Sequence, residues 1–411
     1  MVSFGRFARS CLARSLPAPS FVVLACALGA VAGCSDRPTT PPASSTIARA
    51  SASPAASESA ASAGSSATLA SASAPAAQSG PPRAIDMHVD TPWQVRFKGK
   101  SIDVPGTGQA AIDAIQKGKY GGIVYPIYIA DHLNDNNPTI KDADLIFGTI
   151  DKIVEKHSSV LWPHAKGPTP PDKITAYVSI EGAGAFSADI KQIDRFIARG
   201  VVFVGPVHWH DDDLATAATG KDGKKRGLSK LGKQFCERVY AAGGIVDVSH
   251  MSDKSFDDLV PIAEKYGAPI VATHSNTRAI ADHVRNLTDD QLRIIKKTGG
   301  VAGLNFYDKY VRLKGTASVD DLVAHAKHMI EVAGVESIGI GTDFDGGTPP
   351  PDLPDAGHMQ ELAAALGRAG VSEADVHKIF GENTKRVIAW SDAKKASLAA
   401  NAGAKDGAGA R

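Results

Sequence analysis

Gly244-Ile-Val-Asp-Val-Ser-His250 is a short run of β-formers that closes on a histidine. The same design recurs along the chain. Pro269-Ile-Val-Ala-Thr-His274 closes on a second histidine, and Ile174-Thr-Ala-Tyr-Val-Ser-Ile-Glu181 closes on a glutamate. Ala84-Ile-Asp-Met-His-Val-Asp90 ends in a His-x-Asp pair, and Ser337-Ile-Gly-Ile-Gly-Thr-Asp343 ends in an aspartate. Val/Ile-rich runs of this kind suit strands covered on both faces, as parallel sheets require. In a parallel barrel the C-terminal strand ends converge on one mouth, where active sites are built. The recurrence therefore predicts an α/β chain folded as a (β/α)8 TIM barrel, with a binuclear metal site at the C-terminal end of the strands.

Eight strands are predicted: Ala84–His88, Gly122–Ile129, Ile174–Ile180, Val201–Val207, Gly244–Ser249, Pro269–Thr273, Gly300–Asn305 and Ser337–Gly341. Helical patterns fall between them over 140–156, 188–199, 231–242, 255–266, 288–298 and 319–333, and then over 359–369 and 372–380. A doubly wound open sheet is the competing architecture. It gives no reason for ligand-type residues to close so many separate strands.

The surrounding sequence bounds the rest. Formal net charge is +1 over 411 residues, and no basic-aromatic stripe points to nucleic acid. Arg6, Arg9 and Arg14 precede an apolar stretch from Phe21 to Ala32, which reads as a signal peptide over 1–33. Val31-Ala-Gly-Cys34 resembles a bacterial lipobox, so Cys34 is the expected lipidation site. Residues 34–82 are dominated by Ser, Ala, Pro, Thr and Gly, a composition that cannot bury enough apolar surface to order itself. They read as a disordered tether, 83–395 as the barrel, and 396–411 as a disordered tail. The expected protein is an exported bacterial lipoprotein, attached to the membrane through lipid on Cys34 and sorted to the outer membrane. Cys236 is the single cysteine of the barrel region and reads as a small buried apolar residue on a helix.

His88 and Asp90 share a face, because alternate strand residues do. Imidazole nitrogen and carboxylate oxygen both ligate zinc. Glu181 has two oxygens and can bridge. One ion would then take His88, Asp90 and Glu181, and the other Glu181, His250 and His274. Three protein ligands per ion leave room for a shared water, as catalytic zinc sites require. A closed structural zinc site would be expected to use cysteines that this chain lacks.

These residues carry a resemblance. Asp86-Met-His-Val-Asp-Thr-Pro92, Ser179-Ile-Glu-Gly182, Arg226-Gly-Leu-Ser-Lys-Leu-Gly232, Val246-Asp-Val-Ser-His-Met-Ser252, Thr273-His-Ser275, Arg285-Asn286, Asn305-Phe-Tyr307, Gly341-Thr-Asp-Phe-Asp-Gly346 and Gly381-Glu-Asn383 resemble, in this order, the membrane (renal) dipeptidase family of zinc peptidases, M19. The resemblance spans most of 84–390. It implies two Zn2+ per chain, bridged by Glu181 and a water or hydroxide that attacks the peptide bond of a dipeptide. It also implies that His208 faces the oxyanion, with His210 as the competing assignment. Arg285 would grip the substrate carboxylate; its plainer reading is a surface arginine paired with Asp289 or Asp290. Asp343 would meet the substrate amine and move the proton, Tyr307 is a further substrate contact, and a homodimer is implied. Asp345 reads as a supporting residue. Two rival functions stand beside the dipeptidase: another metal-dependent amidohydrolase (an N-acyl-amino-acid deacylase or a lactonase), and a non-catalytic binding lipoprotein.

Overall fold

The computed structural model describes residues 80–133 and 137–408. The signal segment, Cys34 and nearly all of the tether lie outside the described residues. The strands are β1 Ala84–Asp86, β2 Tyr120–Tyr128, β3 Leu161–Pro163, β4 Ile174–Glu181, β5 Val201–Gly205, β6 Ile245–Val246, β7 Val271–Ala272, β8 Val301–Leu304 and β9 Ile338–Ile340. Eight of them run in the order β6-β5-β4-β2-β1-β9-β8-β7, and every pairing is parallel. A parallel bridge between Asp247 and Val271, with Val248 N donating to Val271 O at 2.8 Å, joins the two ends of that path. The result is the expected barrel.

Helices cover the outside, and their starts are readable in the sequence. Thr139 with Asp142, Thr288 with Gln291, and Ser318 with Asp321 form reciprocal capping boxes at the starts of helices Ile140–Lys156, Asp289–Lys297 and Val319–Ala333. On the first of these, Ala143, Ile146, Phe147, Ile150, Ile153 and Val154 face the core at helical spacing. Each fully buried large aliphatic side chain contributes roughly 1.5–3 kcal/mol. Cys236 is buried on helix Lys230–Ala241, as expected.

Several expectations are corrected. β3 was not foreseen; it is short, ends in proline, and pairs with the first half of β4 beside the barrel path. The helix expected over 188–199 is broken, with α-helix only over Ile193–Ala198. Asp189 sits extended at φ −156° and accepts a hydrogen bond from Lys191 N, which starts a separate 3-10 turn. The helix expected over 372–380 is α-helical over Glu373–His377 and then widens to a π-turn at Lys378–Glu382. Helix Asn383–Ala408 continues through most of the stretch read as a disordered tail. Its alanines and lysines are strong helix formers, so a composition too poor to build a core can still carry a helix.

Candidate metal centre at the mouth of the barrel

Strands β1, β6, β7 and β9 stop short of their ligand-type residues because side chains take over the ladder there. Asp86 Oδ1 accepts from Thr342 N at 2.9 Å and Oδ2 from the Thr342 hydroxyl at 2.7 Å, tying β1 to β9. Asp247 Oδ1 accepts from Ser249 N at 3.0 Å and Thr273 N at 2.9 Å, tying β6 to β7. Asn276 donates to Asn305 O at 2.8 Å and accepts from Asn305 N at 3.0 Å, tying β7 to β8. The chain can therefore leave strand geometry while its backbone polar groups stay paired. Asp343 uses that freedom: its φ is +62°, and it lies off the strand rather than at its end.

Glu181 sits at the centre. Its Oε2 lies 3.5 Å from His88 Nε2, and Asp90 Oδ2 lies 3.4 Å from the same nitrogen. Its Oε1 lies 3.1 Å from His250 Nε2 and 3.5 Å from His274 Nε2, and those two nitrogens are 3.0 Å apart. The two carboxylate oxygens thus face opposite halves of the site. All five residues are buried.

The donors fit metal ions. His88 Nδ1 and Nε2, Asp90 Oδ1 and His250 Nδ1 are buried without a hydrogen-bond partner. An unsatisfied buried polar atom costs about 1–3 kcal/mol, so such a cluster calls for a ligand. Donor atoms of His88, Asp90 and Glu181 lie within 4.8 Å of one another, as do those of Glu181, His208 and His250, and of His88, His274 and Asp343. Burial disfavours a charged His88, yet Glu181 and Asp90 outweigh it and hold its pKa well above the usual value. That half of the site attracts positive charge. Burial, followed by the Arg285 charge, pushes His250 well below the usual range; burial, followed by His88, does the same to His274. Both are then neutral, the state in which imidazole binds metal.

Four more sequence-predicted residues surround these donors. His208 is buried, with Nε2 4.0 Å from Glu181 Oε1. Burial lowers its pKa to about 3, so it is a neutral imidazole. His210 is exposed and bonds Asp131 at 2.7 Å instead. Arg285 is 2 % exposed. It reaches Ser275 Oγ at 3.3 Å and His250 Nε2 at 3.1 Å, and its Nε has no partner. The surface pairing with Asp289 or Asp290 does not occur; Asp289 pairs with His328 at 2.8 Å. Asp343 is pushed up to about 7 by burial and by Asp90. Tyr307 lines the same pocket of about 160 Å³ as Asp90, Glu181, His208, His250 and Asp343.

Sequence reasoning missed some contributors. Asn305, with no role readable from the Asn305-Phe-Tyr307 motif, donates to Asp343 Oδ2 at 3.1 Å. The Tyr310 ring lies under the Arg285 guanidinium at 5.4 Å, with no sequence signal beyond two tyrosines three apart. Gly346 lies against two carboxylates, and a Cβ there would collide with Asp90 Oδ2 and Asp343 Oδ1. Asp345, at φ +67°, accepts from Thr91 Oγ1 at 2.6 Å and Gln109 N at 2.7 Å, which is a supporting role.

A parallel (β/α)8 barrel with a buried cluster of histidines and carboxylates at its C-terminal mouth defines a metal-dependent hydrolase. The model of the membrane dipeptidase family, peptidase family M19, matches residues 82–402, and the chain belongs to that family of metallo-dipeptidases. An uncharacterized protein in the pqqA 5' region of Klebsiella pneumoniae is 34% identical over 227 residues, 53% of this chain and 82% of its own length. An uncharacterized dipeptidase of Schizosaccharomyces pombe is 32% identical over 234 residues, 56% of this chain and 54% of its own length. Among solved structures, a metallo peptidase from Rhodobacter sphaeroides liganded with a phosphinate mimic of the dipeptide L-Ala-D-Ala aligns with TM-score 0.66 at 23% identity, over 76% of this chain and 100% of its own. The M19 dipeptidase AC aligns with TM-score 0.67 at 24% identity, over 76% and 99%. At these identities the likeness to the solved structures is one of fold.

Proposed function

We propose that this chain is a zinc-dependent dipeptidase that cleaves free dipeptides into two amino acids. The carrying observation is the arrangement of Glu181, whose two oxygens face separate ligand pairs, His88 with Asp90 and His250 with His274. Two zinc ions held by these five residues would acidify a water between them and polarise the scissile carbonyl. His208, neutral and buried, donates an N–H to the developing oxyanion. Arg285 offers a guanidinium fork to the substrate carboxylate, the geometry that suits bidentate binding. Asp343 receives a proton and returns it to the leaving amine, a task suited to a carboxyl whose pKa lies near neutrality. Tyr307 borders the substrate. The pocket of about 160 Å³ is smaller than the ~300–1,000 Å³ of drug-sized sites, which favours a short substrate. The Rhodobacter sphaeroides metallo peptidase is itself liganded with a phosphinate mimic of a dipeptide.

The test is Glu181→Gln. A neutral amide cannot bridge two cations, so the variant is expected to lose both bound zinc ions and all dipeptide hydrolysis. A variant that keeps two zincs with full activity overturns the assignment. We infer from the sequence that the enzyme is exported and held at the membrane by lipid on Cys34, which Cys34→Ser would release. Among the described residues no helix is long and apolar enough to cross a membrane.

A further inference from the structure

Behind the site, one buried carboxylate holds an unusual position. Asp247 accepts from four groups: Ser249 N at 3.0 Å, Ser249 Oγ at 2.7 Å and Thr273 N at 2.9 Å on Oδ1, and Thr273 Oγ1 at 2.6 Å on Oδ2. None of these four hydrogen bonds reaches a residue of the Glu181 cluster. Thr273 Oγ1 also lies 2.8 Å from His274 Nδ1. A chain Asp247–Thr273–His274 thus leads from the barrel seam to a proposed metal ligand.

Proton accounting fixes the direction of that chain. A carboxylate can only accept, and a threonine hydroxyl carries one proton. The Thr273 proton goes to Asp247 Oδ2, and its other hydroxyl neighbour, Ser249 Oγ at 3.2 Å, spends its own proton on Asp247 Oδ1. The Thr273 oxygen can then only accept from His274, so Nδ1 carries the hydrogen. The ring's other nitrogen, Nε2, is left with a bare lone pair facing Glu181 and His250. The remaining histidines differ: Nδ1 of His88, of His250 and of His208 is buried without a partner. Within this cluster His274 alone has its remote ring nitrogen held by the protein, among the described residues.

We propose that Asp247 and Thr273 are positioning residues that lock His274 in the Nδ1–H tautomer, presenting Nε2 as a ready donor to a metal ion. The metal part rests on the reading given under Proposed function; the tautomer does not. The comparable Asp86–Thr342 staple leads to Asp343, which has no tautomer to set. The relay is therefore specific to the β6–β7 side. Partners behind a metal-bound histidine fix ring orientation in this way, and their loss typically costs about 10–100-fold in metal affinity.

Asp247→Asn gives a directional test. Three donors converge on Oδ1, so the amide oxygen must take that place and the NH2 must take the place of Oδ2. The NH2 then donates to Thr273 Oγ1, the hydroxyl proton turns to His274 Nδ1, and Nε2 becomes the protonated nitrogen. The experiment is ¹⁵N NMR of the histidine rings in the full-length, metal-stripped protein, with His274 assigned through His274→Gln. Wild type is expected to show a protonated Nδ1 and a bare Nε2 at His274. Asp247→Asn is expected to reverse the two, and Thr273→Val to leave a mixture. Thr273→Ser keeps the hydroxyl and is expected to restore the wild-type pattern, which a merely structural role would not require. In zinc titrations, Asp247→Asn and Thr273→Val should weaken one of two ions by about 10–100-fold, and Thr273→Ser should not. An unchanged His274 tautomer in both Asp247→Asn and Thr273→Val overturns the proposal. If Asp247→Asn fails to fold, the Thr273→Val and Thr273→Ser pair decides it. If wild type binds no zinc, the metal reading falls while the tautomer measurement still decides the relay.

Discussion

Arg285 Nη2 lies 3.1 Å from His250 Nε2, and among the described residues no carboxylate pairs with that guanidinium. A buried cation without an anion, with Nε unsatisfied, stands ready for a carboxylate from outside. Arg285→Ala is expected to raise KM for free dipeptides by about 100-fold, the range seen when a buried charge pair loses one partner. The check is a double-mutant cycle against dipeptide C-terminal amides. The variant should lose most of wild type's preference for the free acid; a retained preference would place the carboxylate elsewhere.

His208 and His210 are two residues apart and make opposite predictions. His208 is buried beside Glu181, whereas His210 is exposed and bonds Asp131. His208→Ala should lower kcat by about 10²–10³-fold, the usual effect of removing an oxyanion donor. His210→Ala should leave kcat within about twofold, as expected for an exposed residue outside the reacting groups. Steady-state kinetics of both variants on one substrate separates them, and the reverse ranking would reassign the role.

Asp343 is held at about 7 by burial and by Asp90, with Asn305 donating to it. Asp343→Asn keeps the shape and removes the titratable proton. It is expected to cost about 10²–10⁴-fold in kcat. Pre-steady-state product release should show no burst, because proton delivery precedes release. Unchanged kcat would remove Asp343 from proton transfer.

Away from the chemistry, Asp212 offers a stability test. Burial raises its pKa from 3.8 to about 7, against hydrogen bonds from Ala215 N and Leu214 N. The native state then binds the proton more tightly than the unfolded chain. This makes its contribution to stability fall as pH rises from about 4 to 7. Asp212→Asn can still accept both backbone bonds through one oxygen. Chemical denaturation should show the variant more stable than wild type above neutrality, by on the order of 2 kcal/mol after solvent screening, and no more stable at pH about 4. An equal change at both pH values would contradict the linkage.

The barrel was legible because each buried strand is a Val/Ile run, and the ligand types stood out because each closes such a run. What the sequence hid is what happens one or two residues later. Thr342-Asp-Phe-Asp345 looks like a strand continuing at period two, yet Asp343 and Asp345 both take positive φ, which aspartate tolerates better than most residues. Whether a strand ends there depends on Asp86 capturing Thr342, a contact between residues 256 positions apart. Tyr310 was invisible for a similar reason. Its role depends on Arg285 lying over its ring, and only the fold brings the two together.

The most direct test of the account is hydrolysis of a panel of free L,L and L,D dipeptides beside their N-acetylated counterparts, by protein stripped of metal and then reloaded with zinc. Zinc-dependent release of free amino acids is expected from the unblocked dipeptides and none from the acetylated set. Cleavage confined to the acetylated set, or no cleavage by protein carrying two zinc ions, would contradict it.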